Sequence, residues 1–94
     1  MSNVSEAEFV VGSELGMHAR PAGRFVALAS QFDCEISVAK GQEWVNGCSV
    51  LSILSLAAGQ GTVLRVRAEG ADAETAVTQL GALIEASEEP APAA

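Results

Sequence analysis

Basic residues are scarce in this chain of 94 residues: five lysines and arginines stand against twelve aspartates and glutamates, for a net charge of −7. Nucleic-acid affinity comes largely from basic side chains neutralising phosphates, so this balance excludes nucleic-acid binding as the main task. Tyrosine is absent, and the one tryptophan and three phenylalanines are not patterned for base stacking. No apolar run approaches the roughly 18 residues of a membrane span, which excludes membrane insertion. The opening MSNVSEAEF has acids but no basic n-region, so it does not read as a secretory signal and a cytoplasmic location is expected. Cys34 and Cys48 lack CxxC spacing and lie far in sequence from the sole histidine, which argues against a metal site. Without other signs of export, both thiols are expected to be reduced.

What is present suits one small domain with its own core, since 49% of the residues are hydrophobic. Charge is polarised: residues 1–70 hold every base and seven acids, whereas 71–94 hold five acids and no base. Residues 6–12, EAEFVVG, read as a short strand. From Ala19 to about Gln31, Ala22, Phe25, Val26 and Ala29 fall at helical spacing. Cys34 to Lys40 alternates as a strand, and Gly41 turns the chain into a second strand at Glu43–Val45. Ser49 is placed to cap a short apolar helix running to Leu56 and ended by Gly59 or Gly61. Thr62–Glu69 reads as a half-buried strand. Asp72 is expected to cap a last helix striped by Ala73, Ala76, Val77, Leu80, Leu83 and Ile84. The order is βαββαβα, and elements of these lengths bury their apolar faces most simply as an α+β fold with helices on one side of an antiparallel sheet. Residues 1–86 make the domain; the tail at 87–94, with SEEPAPAA at the chain end, has neither periodicity nor bulk and is expected to be disordered.

The stretch LGMHARPA, residues 15–22, holds the chain's one histidine, His18, ahead of the first helix. A lone imidazole is more often a surface residue than a chemical one, but three neighbours change the balance. Gly16 permits a tight approach to a helix start whose unpaired N–H groups carry about half a positive charge. Pro21 falls in the first helical turn, where its missing N–H breaks no intrahelical bond, so the helix begins close to His18. Arg20 and Arg24 can offer guanidinium donors to phosphate oxygens, although most surface arginines only solvate a helix face. Neutral imidazole is nucleophilic near neutral pH, and nitrogen bonded to phosphorus is a labile phosphoryl donor. The set therefore suits temporary storage of a phosphoryl group. No P-loop or kinase acid–base set is present, so the group must come from another protein.

The LGMHARPA motif, the βαββαβα order and the segment VNGCSVLSILSLAAGQG together resemble the HPr family, the histidine phosphocarriers of the bacterial phosphotransferase system, over roughly residues 5–86. The nitrogen-related branch of that family often carries LGMHARPA too. The resemblance implies an open-faced sandwich, a four-stranded antiparallel sheet covered on one face by three helices. It implies phosphorylation of His18 on Nδ1 by enzyme I, with phosphoenolpyruvate as ultimate donor and Arg20 stabilising the phosphate. The group then passes to enzyme IIA domains, making the chain a carrier through a phosphohistidine and not a self-sufficient catalyst, with no cofactor.

The family's regulatory serine, the substrate of HPr kinase/phosphorylase, falls on Ser49, though a serine there also serves simply as a cap. Cys48 departs from the family, whose members with that switch often carry a basic residue at this position. Met17, Arg24, Val50, Leu51 and Leu54 are expected to form the docking patch beside His18. The alternative is a regulatory binding module, in which the phosphorylation state of His18 or Ser49 controls partner proteins.

Overall fold

The computed structural model describes residues 3–86, so the tail expected at 87–94 lies outside the described residues. Seven elements follow in the expected order: β1 (Val4–Val10), α1 (Ala19–Ala29), β2 (Cys34–Lys40), β3 (Glu43–Asn46), α2 (Val50–Ser55), β4 (Val63–Gly70) and α3 (Ala73–Glu85). The strands form one antiparallel sheet in the order β1-β4-β2-β3. Alternation explains its two faces. Leu64, Val66 and Ala68 of β4 and Ile36 and Val38 of β2 point one way, into a core shared with Phe25, Ile53, Leu80 and Ile84. The helices close that side: α3 lies over β1 and β4, and α1 packs against both α3 and α2. Gly81 sets the approach of α3 to β1, since a Cβ there would run into the Phe9 ring.

The other face is open. Glu6 of β1 lies 3.7 Å from Arg65 and 3.9 Å from Arg67 of β4. The Arg65 guanidinium stands 5.0 Å over the Trp44 ring and donates to the Gly41 carbonyl at 2.7 Å. Beneath this pair, Ala39 is in register with both Trp44 and Arg65 and is wholly buried.

Element ends depart from expectation where tertiary partners decide them. β1 covers Val4–Val10 and not 6–12, because β4 is long enough to pair Val4 with Glu69 and Val10 with Val63. α1 stops at Ala29; the Ser30 hydroxyl turns back to donate to the Val26 carbonyl at 2.8 Å. Neither Gly59 nor Gly61 ends α2. Its C-cap is Leu56, and the left-handed residue that follows is Ala57, at φ 50°. Asp72 precedes α3 but makes no side-chain cap, because it sits at φ 58°, ψ 31°, whereas a capping side chain needs extended backbone to reach the second or third helical N–H. Leu83 is only half-buried, and Gly81 takes a place in the buried stripe.

Candidate functional site

The loop from Val11 to Met17 delivers His18 to the start of α1, and backbone bonds hold it at both ends. Val11 donates to Thr62 and accepts from Gly61, each at 2.9 Å, while Gly12 donates to Ile84 at 3.0 Å. Gly16 then turns at φ 73°, where a Cβ would collide with the Ala58 carbonyl. That same carbonyl accepts the Met17 N–H at 2.8 Å, and the His18 N–H donates to Gly16 at 2.9 Å. The loop is pinned to the α2–β4 turn immediately before the histidine.

His18 is the N-cap of α1, with extended backbone at φ −77° and ψ −171°. Its Nδ1 accepts from the Arg20 backbone N–H at 3.5 Å, the outer limit of a hydrogen bond. Accepting at Nδ1 assigns the neutral ring's proton to Nε2 and leaves the Nδ1 lone pair only loosely engaged. The first turn of α1 contains no acid, so no carboxylate of its own neutralises the positive helix end. Pro21 is buried at the third helical position, and Ala22 donates to the His18 carbonyl at 3.0 Å. Arg20 and Arg24 are both exposed on α1, and the Arg20 guanidinium makes no ion pair among the described residues.

On α2, Ser49 is the N-cap, its hydroxyl accepting from the Ser52 N–H at 3.2 Å. Asn46 prepares that start by accepting the Cys48 N–H at 2.8 Å. Of the expected docking set, Leu51 is 80% exposed, Val50 and Leu54 are half-buried, and Ile53 and Leu56 go to the core. Met17, expected in that set, is instead 5% exposed and packs in the core, so it offers little surface to a partner. Leu15, in the same loop and 77% exposed, is the apolar side chain that the sequence reading overlooked. Its signal was a leucine between Glu14 and Gly16, in a loop that offers it no helical or strand face.

Neither thiol forms a disulfide. The Cys34 thiol donates to the Ala71 carbonyl at 2.7 Å, and burial pushes its pKa up, with the charges of Asp33 and Asp72 adding to the effect. Among the described residues, no group of three or more His, Cys, Asp or Glu side chains could hold a metal ion, and no helix is long and apolar enough to cross a membrane.

Comparison with known proteins agrees with this geometry. The family model for the PTS HPr component phosphorylation site matches residues 5–86. Phosphocarrier protein HPr of Xylella fastidiosa is 42% identical over 81 residues, covering 85% of this chain and 90% of the relative. Phosphocarrier protein NPr of Shewanella violacea is 36% identical over 81 residues, covering 86% and 89%. The crystal structure of a phosphocarrier protein HPr from Bacillus anthracis superposes with a TM-score of 0.82 at 36% identity, over 86% of this chain and 96% of that one. With the family model spanning nearly all the described residues and His18 capping α1, this chain belongs to the HPr family, the phosphocarriers of the phosphotransferase system.

Proposed function

We propose that the chain accepts a phosphoryl group from enzyme I on Nδ1 of His18 and passes it to an enzyme IIA domain. The observation that carries this reading is the Nδ1 lone pair, held at the N-terminus of α1 and barely engaged by the Arg20 N–H at 3.5 Å. In the accepting step Nδ1 attacks phosphorus, the N–P bond forms, and the bond to enzyme I breaks. The ring keeps its Nε2 proton and becomes cationic, which makes the new bond a good donor for the reverse or onward step. The Arg20 N–H then faces a phosphoryl oxygen in place of the nitrogen it had approached. Together with the helix end and the Arg20 guanidinium it offsets the added negative charge without a permanent bond.

Leu15 and Leu51, beside the half-buried Val50 and Leu54, supply apolar surface for transient docking, with Arg20 and Arg24 on the neighbouring helix. Ser49 is read as a helix cap first and a substrate of HPr kinase/phosphorylase second. In the test, wild type and His18→Ala are incubated with enzyme I and labelled phosphoenolpyruvate. Wild type takes up acid-labile label; His18→Ala, with unchanged circular dichroism, takes up none. Label on His18→Ala overturns the assignment. Adding IIA domains of the sugar and nitrogen branches then separates a carrier, which loses its label to one of them, from a regulatory module that retains it.

A further inference from the structure

The α2–β4 turn holds a feature that the phosphoryl chemistry leaves unused. Ala57 lies in the left-handed region at φ 50°, where a Cβ crowds its own backbone and glycine is the residue at ease. The Ile53 and Leu54 carbonyls accept from the N–H groups of Leu56 and Ala57, but the carbonyls of the C-cap Leu56 and of Ala57 lie past the helix and need partners from elsewhere. Lys40, the chain's only lysine, supplies them from the end of β2: its Nζ donates to the Leu56 carbonyl at 3.1 Å and to the Ala57 carbonyl at 3.4 Å. A cation at the negative end of α2 is favourable in itself, and here it also ties the strained residue to the sheet. One residue on, the Ala58 carbonyl accepts the Met17 N–H at 2.8 Å and packs against Gly16, whose own carbonyl accepts the His18 N–H at 2.9 Å. A short series of bonded groups thus runs from the Lys40 ammonium to the backbone of His18.

We propose that Lys40 is a positioning residue for phosphoryl transfer: by clamping the left-handed Ala57 turn it holds the Ala58 carbonyl on Met17 and so places His18 Nδ1 over the start of α1. This rests on His18 as the acceptor, but its structural half, the coupling of Lys40 to the Met17 amide, is measurable with no transfer at all. Lys40→Met keeps a long apolar stem and removes the charge; Lys40→Arg restores a cationic donor. Ala57→Gly takes the left-handed conformation without crowding, so it should make the clamp dispensable.

The full chain is followed by amide hydrogen exchange at Met17, with Val38 in the middle of β2 as an internal control, and by transfer from phosphorylated enzyme I. Lys40→Met is expected to speed Met17 exchange relative to Val38 by about tenfold, the weight of a charge-assisted hydrogen bond. It is also expected to lower kcat with KM held within about twofold, the pattern of an interaction that serves the transfer step and not docking. Lys40→Arg should rescue both. In an Ala57→Gly background the effect of Lys40→Met should shrink below about threefold, because the two positions act on one conformation. Unchanged Met17 exchange in Lys40→Met overturns the clamp, as does an equally large effect in the Ala57→Gly background. A loss confined to KM overturns the positioning role in favour of docking. Failure of the unaltered chain to take up a phosphoryl group overturns the acceptor reading instead, and the exchange data distinguish that failure from the others.

Discussion

At the residue scale, the site depends on where one ring nitrogen points. Nδ1 of His18 faces the Arg20 N–H because His18 occupies the N-cap with extended backbone; one residue deeper in the helix the same ring would project along the helix surface. Arg20 adds a guanidinium that is exposed and committed to no ion pair among the described residues, so on the proposed function its value would lie in the transfer state. Arg20→Ala is predicted to slow phosphoryl transfer by about one to two orders of magnitude. Its free energy of unfolding should stay within about 0.5 kcal/mol of wild type, as for an ordinary surface substitution. Matched rapid-mixing and denaturation measurements check this, and equal losses in both would make Arg20 structural.

A different residue in the same loop works against stability. Ser13 is 2% exposed, and its hydroxyl has no hydrogen-bond partner among the described residues. An unmade buried hydrogen bond costs about 1–3 kcal/mol, so Ser13→Ala is predicted to raise the free energy of unfolding by about 1 kcal/mol. Urea denaturation measures it; a lower midpoint for the variant would show that the hydroxyl is satisfied in solution.

At the scale of elements, α2 is the instructive case. Six residues do not hold a helix in water by themselves, so α2 exists through its attachments. These are the Ser49 cap, the buried Ile53 and Leu56, and Lys40 on its last carbonyls. Ser49→Ala is predicted to cost about 1 kcal/mol of stability, while Ser49→Asp keeps a capping oxygen and places a negative charge at the favourable helix end. Leu51, being exposed, contributes little to folding. Leu51→Glu should leave stability within about 0.5 kcal/mol. It should weaken binding to enzyme I by about fivefold or more, the loss expected of an interface anchor worth over ~1 kcal/mol. Titration calorimetry against enzyme I reads the affinity. If both Ser49→Asp and Leu51→Glu bind as wild type does, α2 is not the docking face.

At the scale of the whole molecule, the five bases divide between opposite sides of the sheet. Arg20 and Arg24 lie on the helical side with His18, Lys40 closes α2, and Arg65 and Arg67 are engaged with Glu6 and Trp44 on the open face. A chain of net charge −7 thus keeps a positive group of side chains at the site where a phosphoryl group would arrive. Cohesion between the layers depends on close approach, most visibly at Gly81 beneath Phe9. Gly81→Ala adds a methyl where none fits. It is predicted to lower stability by about 1–3 kcal/mol despite alanine's better helix propensity, with transfer per folded molecule unchanged. Thermal melts beside the labelling assay check both halves.

Much of this was legible from residue order alone. β2 is legible to its last residue, because Cys34–Val38 alternates apolar and polar side chains and the run is bounded by Asp33 and Gly41. The place of His18 at the start of α1 was readable because Pro21, Gly16 and the helical spacing that follows are all local signals, and local sterics act whatever the rest of the chain does. Leu15, Met17, Lys40, Ala57 and Asp72 were not readable in this way. Met17 goes to the core and Leu15 to solvent in a loop bonded to Ala58, a residue distant in sequence, and whether Lys40 is a free cation or bonded past the end of α2 depends on where β2 ends in space. The sequence by itself determined the kind and order of the elements and placed the one histidine at a helix start, since these follow from periodicity and backbone sterics within a few residues. Strand order, the side chains left exposed around His18 and the backbone bonds that pin the loop before it were decided only in the tertiary structure, because each is set by a contact between segments that meet only when the sheet and helices close on one core.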